Sequence, residues 1–503
     1  MILKKLLQSN ENDVSRTEKT VALTIASMVS TLLSMLLSMM AARLLTKTEI
    51  AINSQTFLAY STFSPFLMWG INSSIYYYLS KNEHRKRAAV NECLTPVLGA
   101  SILFSIFILL GGNQLLSQWF KNPAIAETLY FIIPYILLVT PASILAFVFV
   151  YENRLRFNAV FTTVQTIATL IVVMSVMFCF RTGQSMVISR SIVGSLFAVI
   201  TFYLAYMILP KEEGRISWDN IKKLLAISLP LGISCVMGTL DRNLDQWIVS
   251  MVLTPEVYAV YTQGARELPL ISTITGAIST VIIVDLTKSV QKKDYESAKE
   301  LFRKAAEKTS LFLMPAMVFF FVAAKPLIIF LYTEEFAEAV PIFQIYLLYM
   351  PIRIVYYTPF LVALGKSKFI MWEGVFALFV NAALSIICVH FFGAKGAALA
   401  TILSVYLVNV PLNIYVISKE TQIPWRQLLP FKHIFLCIIY AIPGAICSML
   451  LGRIMEDHFS SFAILISEFL TFVVVTFPIL SWRFHISGRN IATRVLDRIR
   501  SYF

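Results

Sequence analysis

The chain contains 503 residues, of which 57% are hydrophobic and only 14% are charged. Its mean hydropathy is +0.73, whereas soluble domains carry about 25% charged residues. This composition excludes a soluble globular protein and predicts a chain that lies almost wholly in a membrane. The net charge of +13 requires no nucleic acid partner, because basic loops set membrane topology and attract the anionic headgroups of membrane lipids.

Apolar segments of about 20 residues, long enough to cross a hydrocarbon core of about 30 Å, recur along the whole sequence. They predict an all-α polytopic membrane protein with about fourteen transmembrane helices. The first twenty residues lack the short apolar core of a secretory signal, so no cleaved signal peptide is expected. The predicted spans are residues 21–44, 51–79, 93–116, 127–151, 159–180, 185–209, 224–252, 256–285, 309–332, 337–364, 370–392, 394–418, 433–452 and 460–482.

Basic residues are concentrated in every second break between spans. The breaks at 81–87 and 286–308 are rich in Lys and Arg, whereas the alternate breaks hold few, such as Lys121 and Arg453. Because short cytoplasmic loops carry the excess of Lys and Arg, this pattern predicts a multi-pass protein of the cell inner (plasma) membrane with both termini in the cytoplasm. The basic segment 286–308 and the C-terminal segment 488–503 are predicted to be interfacial amphipathic helices.

An internal repeat divides the sequence. "LLTKTEIAINSQ" (44–55) aligns with "VLTPEVYAVYTQ" (252–263), with four identities that include Thr46 with Thr254 and Gln55 with Gln263. Two parallel six-helix repeats are a known transporter architecture. We therefore expect an N-terminal six-helix bundle over residues 1–209 and a C-terminal six-helix bundle over 210–418. Residues 419–503 would add two transmembrane helices and a cytoplasmic amphipathic tail.

The stretch "GTLDRNLDQWIVSM" (238–251) places Asp241, Arg242 and Asp245 on one face of the seventh span. A charge at the centre of a membrane helix costs about 2.5–3.5 kcal/mol, so these groups must face one another or a wet cavity. One interpretation is an ion cluster, with Arg242 paired to Asp245, that locks the helix to its neighbours. The other is a cavity wall, in which Asp241 and Asp245 form an ion-coupling site for H⁺ or Na⁺.

Further spans carry polar stripes that favour the cavity. Arginine is the predominant charge in them, and guanidinium groups bind phosphate oxygens with two parallel hydrogen bonds. We therefore predict a cationic cavity that binds an anionic headgroup through Arg242, Arg266 and Arg353, together with Arg190. The accompanying polar residues are Asn53, Gln55 and Ser64, then Thr262, Glu267 and Thr273, then Tyr346, Tyr349 and Tyr356. Glu373, Asn409 and Asn413 suit helix-packing hydrogen bonds as well as ligand contacts.

The six cysteines lie in or beside apolar spans without ligand spacing, so neither a metal site nor a resident cofactor is predicted. The segment "LDRNLDQWIVSMVLTPEVYAVYTQGARELPLI" (240–271) resembles the start of the second half of polysaccharide flippases. The segments "ARLLTKTEIAINSQTFLAYSTF" (41–63), "ALGKSK" (363–368) and "FGAKGAALATILS" (392–404) are similar to other parts of the same family. This family contains the O-antigen (lipopolysaccharide) and exopolysaccharide exporters of the multidrug/oligosaccharidyl-lipid/polysaccharide (MOP) superfamily.

The resemblance implies a MATE-like fold and a transporter rather than an enzyme. Its cargo would be a polyprenyl-pyrophosphate-linked oligosaccharide, flipped from the cytoplasmic to the outer face by alternating access, with ion coupling. The implied partners are this lipid-linked oligosaccharide, membrane lipids and the polysaccharide polymerase machinery.

Three alternatives remain open. A cation-coupled multidrug antiporter and a lipid II flippase belong to the same superfamily. A membrane glycosyl polymerase is disfavoured because the outer loops are all short. No nucleotide-binding G-x-x-x-x-G-K-[ST] motif is present.

The predicted topology can be tested with single cysteines placed in a cysteine-free background. Positions 85, 299 and 494 should be protected from an impermeant thiol reagent in intact cells, and positions 121 and 453 should be labelled, because basic loops stay in the cytoplasm. Labelling of position 299 from outside would refute the fourteen-span arrangement.

Overall fold

The computed structural model describes residues 16–211, 214–268, 271, 275–276, 283, 285–456 and 458–484. These residues form helices and connections, with no strand among them. The chain divides into two compact units. Unit 1 consists of Met1–Thr262 and Gly374–Thr401, and unit 2 consists of Gln263–Glu373 and Ile402–Phe503. The expected six-helix bundles over 1–209 and 210–418 stay a prediction.

The helices follow one another with short connections. In the first part of the chain they are α1 Arg16–Leu44, α2 Lys47–Leu67, α3 Ile71–Lys81, α4 Lys86–Phe107, α5 Asn113–Trp119, α6 Ile125–Phe131, α7 Ile133–Tyr151, α8 Leu155–Phe180, α9 Gly183–Ile208, α10 Trp218–Val252 and α11 Pro255–Gly264. The later helices are α12 Tyr295–Val322, α13 Ala324–Tyr332, α14 Ala339–Leu347, α15 Tyr357–Ala363, α16 Ser367–Ser404, α17 Val410–Thr421, α18 Trp425–Leu428, α19 Phe431–Met455 and α20 Ser461–Phe484.

The all-α fold predicted from the sequence is confirmed. Each of the fourteen predicted spans coincides with helical segments, although 256–285 is described only in part. Among the described residues, ten helical stretches are long and apolar enough to cross a membrane, and one of them, Ser367–Thr421, covers two predicted spans. The second, eighth and tenth spans are absent from that set. Helix α2 of the second span has 21 residues but is rich in polar side chains, the eighth span is described only in part, and the tenth is divided into the short helices α14 and α15.

The repeat inferred from the sequence has a structural counterpart in helix capping. Thr46 precedes α2, and its Oγ1 accepts a hydrogen bond from the backbone N–H of Glu49 at 3.3 Å. Thr254 precedes α11, and its Oγ1 accepts from the N–H of Val257 at 3.5 Å. A threonine at this position satisfies one of the free N–H groups at a helix start. The matched threonines thus begin the second and the eighth span in the same way.

A buried carboxylate, Glu92 on α4, organises one end of unit 1. Its side chain is 0% exposed. Oε2 accepts a hydrogen bond from the Tyr78 hydroxyl at 2.5 Å and an ion-pair contact from Arg85. Oε1 accepts from the Ser217 N–H at 3.0 Å and from Asn220 Nδ2 at 3.2 Å. Because both oxygens are fully used, the carboxylate ties α3, α4 and the start of α10 together.

Two glycines allow α3 and α10 to approach closely. Gly70 adopts φ +71°, a left-handed conformation that suits glycine, and begins α3 after the break in the second span. A methyl group built on Gly232 of α10 would lie 2.8 Å from the nitrogen and 3.0 Å from the Cα of Gly70. The two backbones therefore pack against each other with no room for a side chain.

The C-terminal helices α19 and α20 form a hairpin in unit 2. A cluster of buried apolar residues joins this hairpin to α12, namely Phe319, Ala323, Ala441, Ala445 and Phe472. The predicted amphipathic tail at 488–503 lies outside the described residues.

The predicted interfacial helix over 286–308 is corrected by the structure. Asp294 caps α12, its Oδ1 accepting from the Ser297 N–H at 3.1 Å, and this hydrogen bonding lowers the pKa of the Asp294 carboxyl. From Tyr295 the helix runs into the ninth span without a break. Its apolar face is covered by protein, since Phe302 is buried and packs 5.3 Å from the ring of Phe360. The basic segment is therefore largely an extension of a transmembrane helix.

Substitution of Gly232 by alanine should destabilise the protein. The new methyl group meets rigid backbone at Gly70, and overpacking of this kind costs about 1–3 kcal/mol. We expect a lower melting temperature in detergent and less folded protein in the membrane. Gly99→Ala is the matched control, because a methyl group there contacts nothing within 4 Å; an equal loss in both variants would contradict the close contact.

Candidate functional site

The polar stretch of the seventh span lies on α10, as predicted, but its three charges have separate surroundings. Asp245 is 4% exposed. Its Oδ2 accepts from the Tyr261 hydroxyl at 2.5 Å, and its Oδ1 accepts from the N–H of Gln246 at 2.8 Å. Arg242 is exposed, and its Nη2 donates to Thr239 Oγ1 at 2.9 Å, one turn earlier on the same helix. Asp245 is thus anchored within the protein, whereas the guanidinium is open to its surroundings.

Asp241 belongs to a hydrogen-bonded chain of polar side chains, Asp241–Asn381–Ser385, that the sequence analysis did not predict. Asn381 of α16 directs Nδ2 towards Asp241 Oδ1 at 3.5 Å, and its Oδ1 accepts from Ser385 Oγ at 3.2 Å. Asn381 is 3% exposed and Ser385 is 0% exposed. Because 140 residues separate Asp241 from Asn381, the contact could not be predicted from the sequence. The available signal was the presence of Asn381 and Ser385, four residues apart, in an otherwise apolar helix. The half-buried Asp241 carboxylate therefore meets a neutral amide donor, which is itself held in place by the Ser385 hydroxyl.

Arg190 of α9 belongs to a different, aromatic environment in unit 1. Its guanidinium carbon lies 3.9 Å from the centre of the Phe57 ring. Tyr135 meets both Phe57 and Tyr60 edge to face, with centroids 5.7 Å and 5.1 Å apart. Cation–π contacts of this kind stabilise a desolvated guanidinium without neutralising its charge. The Phe57 ring therefore orients the Arg190 side chain.

Gln55, predicted as a cavity residue, serves packing instead. It is 0% exposed. Its Nε2 donates to Ser250 Oγ at 2.7 Å and to the carbonyl of Phe120 at 3.2 Å, and its Oε1 accepts from Asn122 Nδ2 at 2.7 Å. The polar side chain is completely engaged with neighbouring helices of unit 1.

In unit 2, two candidate arginines lie where helices are interrupted. Helix α11 ends at Gly264, and Arg266, Glu267 and the following Leu268 are not helical. Arg353 lies on a short 3₁₀ turn, Ile352–Ile354, between α14 and α15. Non-helical backbone at membrane depth is tolerated only where protein or a water-filled cavity surrounds it. In the sequence, Pro269 and Pro351 lie beside these breaks, but a proline is equally compatible with a kinked continuous helix.

The two interruptions meet through an ion pair. Arg353 donates to Glu267 Oε1 from Nη2 at 2.6 Å and from Nε at 3.2 Å. The side chains are 27% and 33% exposed, respectively. The guanidinium also lies 4.7 Å from the Tyr349 ring centre and 5.7 Å from that of Tyr356. Arg353 is thus oriented by one carboxylate and two aromatic rings, but part of it stays accessible.

Unit 1 therefore contains Arg190, Arg242 and both aspartates, whereas unit 2 contains Arg266 and Arg353. Thr273 lies outside the described residues. Glu373 forms the predicted packing hydrogen bonds, accepting from Asn409 Nδ2 at 2.5 Å and from Asn413 Nδ2 at 3.3 Å. Among the described residues, no group of three or more His, Cys, Asp or Glu is arranged to hold a metal ion. The chemistry offered by these residues is recognition of charge by arginines and carboxylates.

Comparison with solved structures identifies the fold. The chain is similar to the lipid II flippase MurJ in its inward closed conformation, with a TM-score of 0.71 and 16% identity over 92% of this chain and 99% of that one. It is also similar to an inward-facing MATE multidrug resistance transporter, with a TM-score of 0.58 and 13% identity over 80% and 99% of the two chains. A MOP superfamily transporter from Pyrococcus furiosus gives a TM-score of 0.53 and 13% identity over 84% and 98%. At such identities the likeness concerns the fold.

Sequence comparison gives the family. No curated protein matches the chain. A family model described as "Polysaccharide biosynthesis protein" matches residues 39–341, which is more than half of the chain. The chain therefore belongs to the polysaccharide biosynthesis protein family and has the membrane fold of the MOP exporter superfamily.

Proposed function

We propose that the protein flips a polyprenyl-pyrophosphate-linked oligosaccharide from the cytoplasmic to the outer face of the inner membrane by alternating access. The observation that carries the proposal is the set of membrane-embedded arginines, two of which lie at interrupted helices, in a chain of a polysaccharide biosynthesis family. An O-antigen or exopolysaccharide repeat unit would supply the sugars. The pyrophosphate would supply the negative charge that arginines bind.

Arg242, Arg266 and Arg353, with Arg190, are the proposed headgroup ligands. Arg242 is exposed and Arg353 is partly accessible, so both can meet a ligand without unfolding their surroundings. In a membrane such accessible charge is costly and is usually retained for function. Transport requires no covalent chemistry on the cargo, and the polymerase machinery would act on it after flipping.

A lipid II flippase is the second candidate, favoured by the TM-score of 0.71 to the lipid II flippase MurJ. Its cargo is a polyprenyl-pyrophosphate-linked saccharide too, so the same arginines would serve. A multidrug antiporter would carry cationic compounds, and a surplus of arginine over acidic residues in the site disfavours them.

The arginine assignment can be tested in cells that lack the chromosomal gene and carry single alanine variants. Loss of Arg242, Arg266 or Arg353 should weaken headgroup binding by about 1.5–3 kcal/mol, the usual contribution of a charge-assisted hydrogen bond. Lysine should restore transport only in part, because it keeps the charge and loses the planar fork. The measurement is mass spectrometry of the lipid-linked glycan that accumulates on the cytoplasmic side, expressed per folded transporter.

The matched control for Arg353 is the double variant Arg353→Ala with Glu267→Gln, which removes both charges of the pair. It should recover folded protein relative to Arg353→Ala alone and still fail to transport. Normal transport per folded molecule in all three single variants would refute the assignment. Reduced dye efflux with no accumulated glycan would favour the multidrug antiporter, and accumulated lipid II would favour the second candidate.

Ion coupling is proposed at Asp241, with Asp245 as its neighbour on α10. Asp241→Asn should abolish the dependence of transport on a proton or sodium gradient and leave headgroup binding largely intact. Asp245→Asn should in addition lower the amount of folded protein, because Tyr261 donates to this buried carboxylate. Gradient-driven flipping in proteoliposomes measures both effects. Unchanged ion dependence in both variants would return the pair to a structural role.

A further inference from the structure

A buried carboxyl group lies inside the C-terminal hairpin, away from the proposed transport residues. Glu468 of α20 is 4% exposed. Its Oε2 has neither a hydrogen-bond donor nor contact with solvent. The residue belongs to a helix that is long and apolar enough to cross the membrane. At seven residues from Ser461, it lies about 10 Å along the helix from its first residue.

The partner helix is shaped to accept this side chain. Gly444, Ser448 and Gly452 form a stripe of small residues on α19, each one turn from the next. A methyl group built on Gly452 would overlap Glu468 Oε1 and lie 3.0 Å from its Cδ. Ser448 Oγ donates to the backbone carbonyl of Glu468 at 2.9 Å. The carboxyl therefore occupies the space that the missing side chain of Gly452 leaves.

No cation compensates Glu468 within the described residues. The facing segments 311–322 of α12 and 434–452 of α19 contain no charged residue. On α13 the single charge is Lys325, which is paired with Glu456 in the connection between α19 and α20. Arg453 follows Gly452, but its side chain is exposed, as is that of His458.

These surroundings favour the protonated, neutral form of the Glu468 carboxyl group. Burial of a carboxylate without a compensating cation is strongly unfavourable, whereas the neutral acid is far less so and brings an O–H donor. Glu456 shows the contrast in the same unit. It is exposed, and the hydrogen bond from Lys325 lowers the pKa of its carboxyl.

We propose that Glu468 is a proton-binding site inside the C-terminal hairpin and that the bound proton keeps α19 and α20 in contact. Loss of the proton would place a bare carboxylate against Gly452 in an apolar interface. The hairpin would then have to open towards water or towards a cation. This proton site is independent of the headgroup arginines and does not depend on which cargo is carried.

The test uses dicyclohexylcarbodiimide, an apolar reagent that modifies protonated carboxyl groups in membranes. In the purified full chain in detergent, the peptide containing Glu468 should be labelled at pH 6. Labelling should decline as the pH rises, since beyond the titration point the protonated fraction falls about tenfold per pH unit. Glu456, exposed and ionised, is the internal control and should stay unlabelled. The variant Glu468→Gln should lose the label at its own position.

Thermal unfolding provides the second measurement. The folded state holds the neutral acid and the unfolded state exposes the carboxylate, so stability should fall as the pH rises. Glu468→Gln is neutral at every pH and should remove that part of the decline. Glu468→Met gives the same comparison if the glutamine variant does not reach the membrane. Absent labelling at pH 6, or identical stability profiles for the wild type and the neutral variants, would overturn the proposal.

Discussion

Hydrocarbon offers no hydrogen bonds to a peptide group, and this constraint governs the whole architecture. Most of the chain satisfies it with uninterrupted helices. The second and tenth spans are among those that do not, and local contacts stabilise both of these breaks. The tenth span closes its break with short-range bonds, from the N–H of Met350 to Leu347 O at 2.9 Å and from that of Arg353 to Met350 O at 3.0 Å. The second span is interrupted at Gly70, where the backbone of Gly232 packs against it.

The same constraint applies to buried side chains, and the carboxylates show how it is met. Glu92 uses an arginine and three neutral donors. The donors to Asp245 include a phenol and a backbone N–H, and those to Glu373 include two amides. Neutral donors stabilise a carboxylate without burying a second ion, which avoids part of the desolvation cost of a buried ion pair. Glu468 has neither a cation nor a hydrogen-bond donor at its Oε2, and for this reason we propose that it binds a proton.

Hydropathy and charge were sufficient to predict the all-α membrane fold and the positions of the spans, because length and composition alone decide whether a helix can cross hydrocarbon. The repeat could be seen in four identities because Thr46 and Thr254 perform the same capping task. The interruptions were not predicted, since Gly264 and Pro351 are compatible with kinked continuous helices. Contacts between residues that are distant in the sequence could not be predicted either. Asn381 meets Asp241 from 140 residues away, and Gln55, polar within an apolar span, resembled a ligand residue although its bonds are structural.

The partners of the arginines differ in what they leave available to an anion. Arg190 faces an aromatic ring, which orients the guanidinium and leaves its charge intact. Arg242 contacts a neutral threonine and is exposed. Arg353 shares its charge with Glu267, so a phosphate that binds there must compete with a carboxylate already in place. Under the proposed function this competition has a use. A headgroup that displaces Glu267 leaves a carboxylate at an interrupted helix without its cation, and that carboxylate favours the return of Arg353 once the headgroup is released. Because the exchange replaces one anion by another, the net free energy of headgroup binding is smaller than it would be at an arginine without a carboxylate partner. A site that binds its cargo only moderately can also release it, as transport requires.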